Sequence, residues 1–302
     1  MIFCNSALSL SDGHYDNTGC FRDHTMISGK TTLIAHLGYP TESFKAPLIY
    51  NPWFDTHGID AAVVPMGVKA EDYPSTLHAV FKMTNVRGAL ITMPHKVTTL
   101  ALADEVSTTA RIAGAANALR KDVNGKLIAD MFDGTGFTRG LARKGFKFSG
   151  ARCLVVGAGG VGSAIAASLA AEGIASLVLC DTNAASAQAL ADRLKLHYSR
   201  LDVDVGPPDL AGQDLVVNAT PLGMKDDDPL PVDVRQLVPS TFVGEVVMKR
   251  EITPFLAAAQ ARGCQIQVGT DMLFEMIPAY LEFFGFGTAT PQELRTIAKV
   301  AY

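Results

Sequence analysis

Residues Ala151 to Gly173, ARCLVVGAGGVGSAIAASLAAEG, constrain the fold more than any other stretch. Cys153 to Val156 form an apolar run that reads as a strand buried on both faces. Gly157-Ala158-Gly159-Gly160-Val161-Gly162 follows, and then a small-residue segment with helix propensity. Strand, G-x-G-x-x-G and helix in that order give the context a dinucleotide-binding turn requires. Gly157 permits the tight turn, Gly159 lets backbone approach a pyrophosphate, and Gly162 allows helix and strand to pack closely. The helix N-terminus adds oriented N–H groups and a positive dipole for the anion. A second apolar run, Leu177 to Cys180, ends in Asp181, a carboxylate placed to accept the hydroxyls of an adenosine ribose.

The 302 residues suffice for about two domains, each with its own core. The formal net charge of -4 has no long run of one sign, which argues against a nucleic-acid or anionic-membrane surface. Cys4, Cys20, Cys153, Cys180 and Cys264 form no C-x-x-C pair, as expected for a reducing compartment. The N-terminal residues lack a basic region and a long apolar core, and no apolar run is long enough to span a bilayer, so the expected location is cytoplasmic. The seven histidines are scattered without ligand-like spacing, and no metal is expected.

Residues 1–28 are polar and aperiodic and read as a poorly ordered arm. Ser28-Gly29-Lys30-Thr31 is superficially similar to a phosphate-binding loop, but His24 stands where its first glycine belongs. The chain then alternates. Strands are expected at Thr31–His36, Ala61–Met66 and Val86–Thr92, and helices at Lys45–His57, Tyr73–Thr84, from Pro94 onward, and at Thr108–Ile112. Asn124-Gly125 signals a hairpin. A helix from Asp133 leads into the dinucleotide-binding half, with further strands at Leu215, at Phe242–Val247 and at Gln265–Val268. Helices at Pro254–Arg262, Met272–Phe284 and Pro291–Ala301 complete the chain, the last two expected to return to the first half. The expectation is an α/β protein: an N-terminal α/β catalytic domain with a mixed sheet (1–132 plus 270–302) and a C-terminal Rossmann NAD(P)-binding domain (133–269).

Several short stretches together resemble the shikimate/quinate dehydrogenase family: Gly38-x-Pro40 with Pro47 and Asn51, Thr92-x-Pro94-x-Lys96, Gly114-Ala115-x-Asn117 and Asp133-Gly134-x-Gly136-Phe137. The glycine turn, Asn218-Ala219-Thr220-Pro221-x-Gly223-Met224 and Thr253-Pro254 continue the series in family order. The resemblance implies reversible hydride transfer between a ring hydroxyl of shikimate or a related cyclic hydroxy acid and NAD(P), with substrate in an interdomain cleft. It places the acid/base lysine at Lys96, its partner carboxylate at Asp133, and substrate contacts at Thr92 and Asn117. It places the cofactor against Gly157 to Gly162, Asp181, Asn218, Ala219, Thr220 and Gly269. Independently, oxidising a secondary alcohol requires a group within hydrogen-bond reach to take the hydroxyl proton, and a lysine beside a carboxylate in a partly dry cleft can do so. His95 is a rival base, although successive helical residues point apart.

The departures from the family pattern all remove hydrogen-bonding groups. Phe44 and Ala46 occupy the usual carboxylate-binding serine positions, and Leu90 replaces an asparagine. Met248 replaces a tyrosine, Met276 a glutamine, and Met131 with Phe132 an asparagine–threonine pair. A less polar pocket follows, in which Lys249, Arg250, Thr41, Ser43 or Tyr50 serves the carboxylate, or the substrate is not shikimate itself. Asp181-Thr182-Asn183 replaces the Asn-Arg-Thr of NADP-preferring members, which favours NAD over NADP. The expected partner is a small molecule, and the chain is a monomer or homodimer. Two other readings are a non-catalytic NAD-binding sensor, opposed by the presence of both Lys96 and Asp133, and a methylenetetrahydrofolate dehydrogenase-like enzyme, opposed by the Asn218–Met224 and Asp133–Phe137 runs.

Overall fold

A computed structural model of the chain describes residues 27–42 and 44–299, so the expected N-terminal arm, Cys4, Cys20 and Ser43 lie outside the described residues apart from the end of the arm. The first half runs β1 (Thr32–Gly38), α1 (Pro47–Thr56), β2 (Ala61–Gly67), α2 (Tyr73–Val80), β3 (Val86–Ile91), α3 (Lys96–Leu102), β4 (Glu105–Val106), α4 (Thr108–Ala113), β5 (Ala118–Lys121) and β6 (Leu127–Asp130). Its six strands form one sheet in the order β2-β1-β3-β5-β6-β4. β1 pairs in parallel with β2 and β3, whereas the hairpin signalled by Asn124-Gly125 makes β5 and β6 antiparallel. The sheet is mixed, as the sequence predicts.

Helix α5 (Asp133–Arg143) leads from that sheet to the second half: β7 (Arg152–Val156), α6 (Gly160–Ala171), β8 (Ser176–Cys180), α7 (Ala184–His197), β9 (Asp202–Val205), β10 (Leu215–Asn218), β11 (Phe242–Glu245), α8 (Pro254–Ala261) and β12 (Gln265–Gln267). These strands are ordered β12-β11-β10-β7-β8-β9 and every pairing is parallel. Read from β9, this is the doubly wound order whose switch point falls between β7 and β10, where a dinucleotide binds outside the strand C-termini. The sequence reading leaves α7 and β9 unassigned; they complete this half. In β9 only Val203 is fully buried while Asp202 and Asp204 face out, so an edge strand this short carries little hydrophobic signal.

Helices α9 (Gly269–Phe284) and α10 (Pro291–Ile297) return to the first half. Phe274, Ile277, Leu281 and Phe284 of α9 share a core with Ile34, Trp53 and Phe54. Thr290 accepts from the Glu293 amide and Glu293 reaches back to the Thr290 N–H, a capping box that starts α10.

Helix α5 sits between the halves, and its glycines make that possible. A Cβ at Gly134 would collide with the Ala164 carbonyl of α6, and one at Gly136 would lie 2.6 Å from the Met272 carbonyl of α9. Helix α6 answers with small residues, Ala164, Ala167 and Ser168 all being buried. Two helices thus cross backbone against backbone, and Asp133 at the head of α5 is held where the halves meet. Among the described residues no helix is long and apolar enough to cross a membrane.

Candidate active site

A cavity of about 250 Å³ opens where the halves meet. Thr92 and Lys96 line it from the segment after β3, Asp133 from the head of α5, Met248 from beyond β11, and Met276 from α9. Lys96 Nζ donates to Asp133 Oδ2 at 2.6 Å. The lysine keeps some access to the cavity, whereas the carboxylate is nearly closed off, at 21% and 5% side-chain exposure. Asn117 Nδ2 donates to the other oxygen, Oδ1, at 2.8 Å, and Asn117 Oδ1 accepts from the Phe132 N–H at 2.9 Å. Asn117 therefore stands behind Asp133 and fixes its orientation; it does not line the cavity. Asp133 does not cap α5: Phe132 is the N-cap and no side chain caps it, so the carboxylate is left to Lys96 and Asn117 while still favoured by the helix dipole.

His95 is turned away. Its ring stacks on Tyr73 with centroids 3.9 Å apart, and Nε2 bonds the Val68 carbonyl at 2.9 Å. A carbonyl can only accept, so Nε2 carries the proton, and burial pushes the imidazole below its ordinary pKa. His95 buttresses the start of α3 and faces neither Lys96 nor Asp133.

The departures from the family pattern converge in space. Phe44, Ala46, Leu90, Met248 and Met276 all line the cavity. Met131 and Phe132 do not: Met131 is buried in the first-half core, and Phe132 packs edge-on against Tyr280 and Phe283. Of the substitute donors the sequence suggests, Tyr50 lines the cavity, while Thr41 borders a different groove and Arg250 pairs with Asp226. Sequence reasoning misses His36 entirely. It sits near the C-terminal end of β1, stacked on Phe44 with centroids 4.0 Å apart, and lines the same cavity. Its one sequence signal is a polar residue inside an otherwise apolar run, LIAHLG, of the parallel strand β1.

Across the junction, Gly157 adopts φ +105° and a Cβ at Gly162 would collide with the Gly157 carbonyl, so turn and helix depend on both glycines. A Cβ at Gly159 or Gly160 would meet nothing within 4 Å, which leaves open space before the N-terminus of α6. No side chain caps that helix. Asp181 Oδ2 accepts from the Ala158 N–H at 2.6 Å and Oδ1 from the Asn183 N–H at 2.7 Å. An uncapped helix start, open space and a carboxylate fixed at its side fit a dinucleotide pyrophosphate and ribose. Asn218 acts on its own loop: Oδ1 accepts from Thr220 N and Oγ1, and Nδ2 donates to Leu222 O. It thereby holds Ala219 and Thr220 beside Gly157. Gly269 opens α9 where a Cβ would strike the Val247 carbonyl, a close backbone approach that only glycine permits.

A family model described as the shikimate dehydrogenase substrate binding domain matches residues 37–119, and a ThiF family model matches residues 143–193. A shikimate dehydrogenase (NADP(+)) of Acidiphilium cryptum is 35% identical over 261 residues, spanning 86% of this chain and 93% of the relative. The chain belongs to the shikimate dehydrogenase family. Among solved structures, a shikimate 5-dehydrogenase from Listeria monocytogenes in complex with shikimate and NAD superposes with a TM-score of 0.85 at 25% identity, covering 90% of this chain and 97% of that one. A 5-ketofructose reductase of Gluconobacter sp. strain CHM43 gives 0.82 at 25% identity, with 90% and 99% covered.

This shikimate dehydrogenase family chain also buries a carboxyl beside the nucleotide half's switch point. Glu245 ends β11 in register with Asn218 and is fully buried, with neither oxygen hydrogen-bonded. Burial pushes it up to about 7, against weaker pulls from nearby Thr253 and Asn218. An acid with a raised folded-state pKa is harder to ionise folded than unfolded. Stability therefore falls as pH rises from about 4.5 to about 7, by about 3 kcal/mol at most. Glu245→Gln is expected to flatten that part of the profile, read as urea midpoints at about pH 5 and about pH 8; an unchanged slope would assign it to other groups.

Proposed function

We propose that the chain is a nicotinamide-dependent alcohol dehydrogenase of the shikimate dehydrogenase type, with Lys96 and Asp133 as its acid/base pair. The observation that carries this reading is the 2.6 Å contact between those groups on the wall of a cavity at the junction of the halves. In the oxidation direction the substrate hydroxyl proton passes to Lys96 Nζ as its free amine, which becomes the ammonium, the carbinol hydrogen leaves as hydride, and C–O becomes C=O; in reduction the ammonium returns the proton. The nicotinamide, when bound, takes up or supplies the hydride. Asp133 Oδ2 orients Lys96, and Asn117 fixes Asp133, so the proton acceptor is aimed before substrate arrives. Among the described residues, 27–132 with 270–299 make up the catalytic domain and 133–269 the nucleotide domain, a division supported by the return of α9 and α10 to the first core. The substrate class is a small cyclic hydroxy compound of the shikimate type. The likeness to a 5-ketofructose reductase means that the fold alone does not select shikimate. Reduced-nicotinamide formation with a panel of cyclic alcohols tests the reading; tight cofactor binding with no turnover of any alcohol would favour a sensor.

NAD is the preferred cofactor, although the curated relative is named for NADP(+). Asp181 would repel a ribose 2′-phosphate, residues 182–192 contain no Lys or Arg, and Arg193 spends its guanidinium on the Ile112 carbonyl. The expected kcat/KM is about tenfold or more higher with NAD, narrowing in Asp181→Ala, as one uncompensated like-charge contact implies. A clear NADP preference in the unaltered protein would overturn the assignment.

A further inference from the structure

Beyond the Lys96–Asp133 pair, the cavity offers a substrate little polarity. Phe44, Ala46, Leu90, Met248, Leu273 and Met276 present hydrocarbon and sulfur. Polar groups able to hold a second substrate oxygen include His36 and the Tyr50 hydroxyl, and both are uncharged near neutral pH. Burial drives the Tyr50 hydroxyl well above the ordinary phenol range. Burial first, and then the Lys96 ammonium, lower His36 to about 4. The imidazole is held in the wall by its stacking on Phe44, and its Nδ1 is buried without a hydrogen-bond partner. A neutral imidazole has one donor and one acceptor nitrogen, so it can serve a hydroxyl or a carbonyl oxygen.

A carboxylate would meet a different outcome. Its desolvation has to be matched by charged or multiple donors, and apart from the catalytic pair the wall carries one charged side chain, Lys45, among neutral His36, Tyr50 and Thr92. Charging His36 to receive it would work against both burial and Lys96. Lys45 borders the cavity as well, but it has an interaction of its own.

We infer that the cavity takes an uncharged small hydroxy compound, a cyclic polyol or hydroxyketone, with His36 binding a second oxygen of the substrate and hydroxy carboxylates disfavoured. The inference rests on the dehydrogenase reading above and narrows its substrate class. His36 is then a specificity-determining residue that the motif series does not include.

A matched pair of probes isolates the charge: shikimate and its methyl ester, assayed with the full chain and saturating NAD, alongside neutral cyclic diols. The expected result is a kcat/KM at least about tenfold higher for the ester than for the acid. His36→Phe is expected to raise KM for the ester about tenfold while changing kcat much less, and His36→Asn, which keeps a donor and an acceptor, to recover part of the loss. An acid turned over as well as its ester, or better, would overturn the inference. So would selective loss of acid turnover in Lys45→Ala, which would make Lys45 a carboxylate receptor. If acid, ester and diols all fail to react, the dehydrogenase reading falls and takes this inference with it. Preference for the acid, by contrast, leaves the dehydrogenase reading standing.

Discussion

Replacing Lys96 with alanine is expected to lower kcat for alcohol oxidation by about 10³-fold, within the range for loss of a positioned acid/base group, while the cofactor still binds. The cofactor cradle proposed at Gly157, Gly159 and Asp181 lies on other elements and contains no part of Lys96. Asp133→Asn is expected to cost about 10²-fold, because the amide can still hydrogen-bond but no longer balances the ammonium it faces. Since the two groups act as a unit, the double variant should be scarcely worse than Lys96→Ala alone. Additive losses would mean that the residues serve separate steps. The measurements are initial rates at saturating cofactor and substrate, with cofactor binding followed by nucleotide fluorescence.

The second large effect is on stability. Gly134→Ala puts a methyl group into the Ala164 carbonyl, and although the neighbouring Ser168 hydroxyl can turn aside, the Ala164 backbone cannot. The expected loss is about 3 kcal/mol or more, at the upper end of overpacking costs, read as a lowered urea midpoint. The contrast is Gly159→Ala. Its φ of -73° suits any residue and its Cβ would meet open space, so stability should change by less than about 0.5 kcal/mol. That substitution should show itself as weaker cofactor binding, because the space it fills is the approach to the pyrophosphate. Equal destabilisation by the two substitutions would mean that the contact between α5 and α6 is looser than described.

These two glycines show what the sequence can and cannot declare. Gly157, Gly159 and Gly162 were legible because strand, turn and helix are local and their spacing carries the chemistry. The role of Gly134 in a helix crossing was not, since Ala164 is far along the chain and only the fold brings it near. The Lys96–Asp133 pair followed from the motif series, but the orientation of Asp133 by Asn117 needed coordinates. The replacements Phe44, Ala46, Leu90, Met248 and Met276 could be read one by one. That they share one cavity, while Met131 and Phe132 belong to packing elsewhere, became visible only in three dimensions. His36 gives little away in the sequence, since a single polar residue in a strand has no spacing partner to announce it. Helix α7 and strand β9 are hard to read from sequence because alanines spread round a surface helix blur its apolar face, and a four-residue edge strand is too short for its alternation to stand out.

The central claim, that Lys96 Nζ moves the hydroxyl proton, is tested most directly by titrating methylamine into Lys96→Ala at saturating substrate and cofactor and following reduced nicotinamide. The expected result is a background rate without amine and a rate that climbs with amine concentration, as a free base replaces the missing side chain. A variant that turns over at the wild-type rate with no amine present would contradict it.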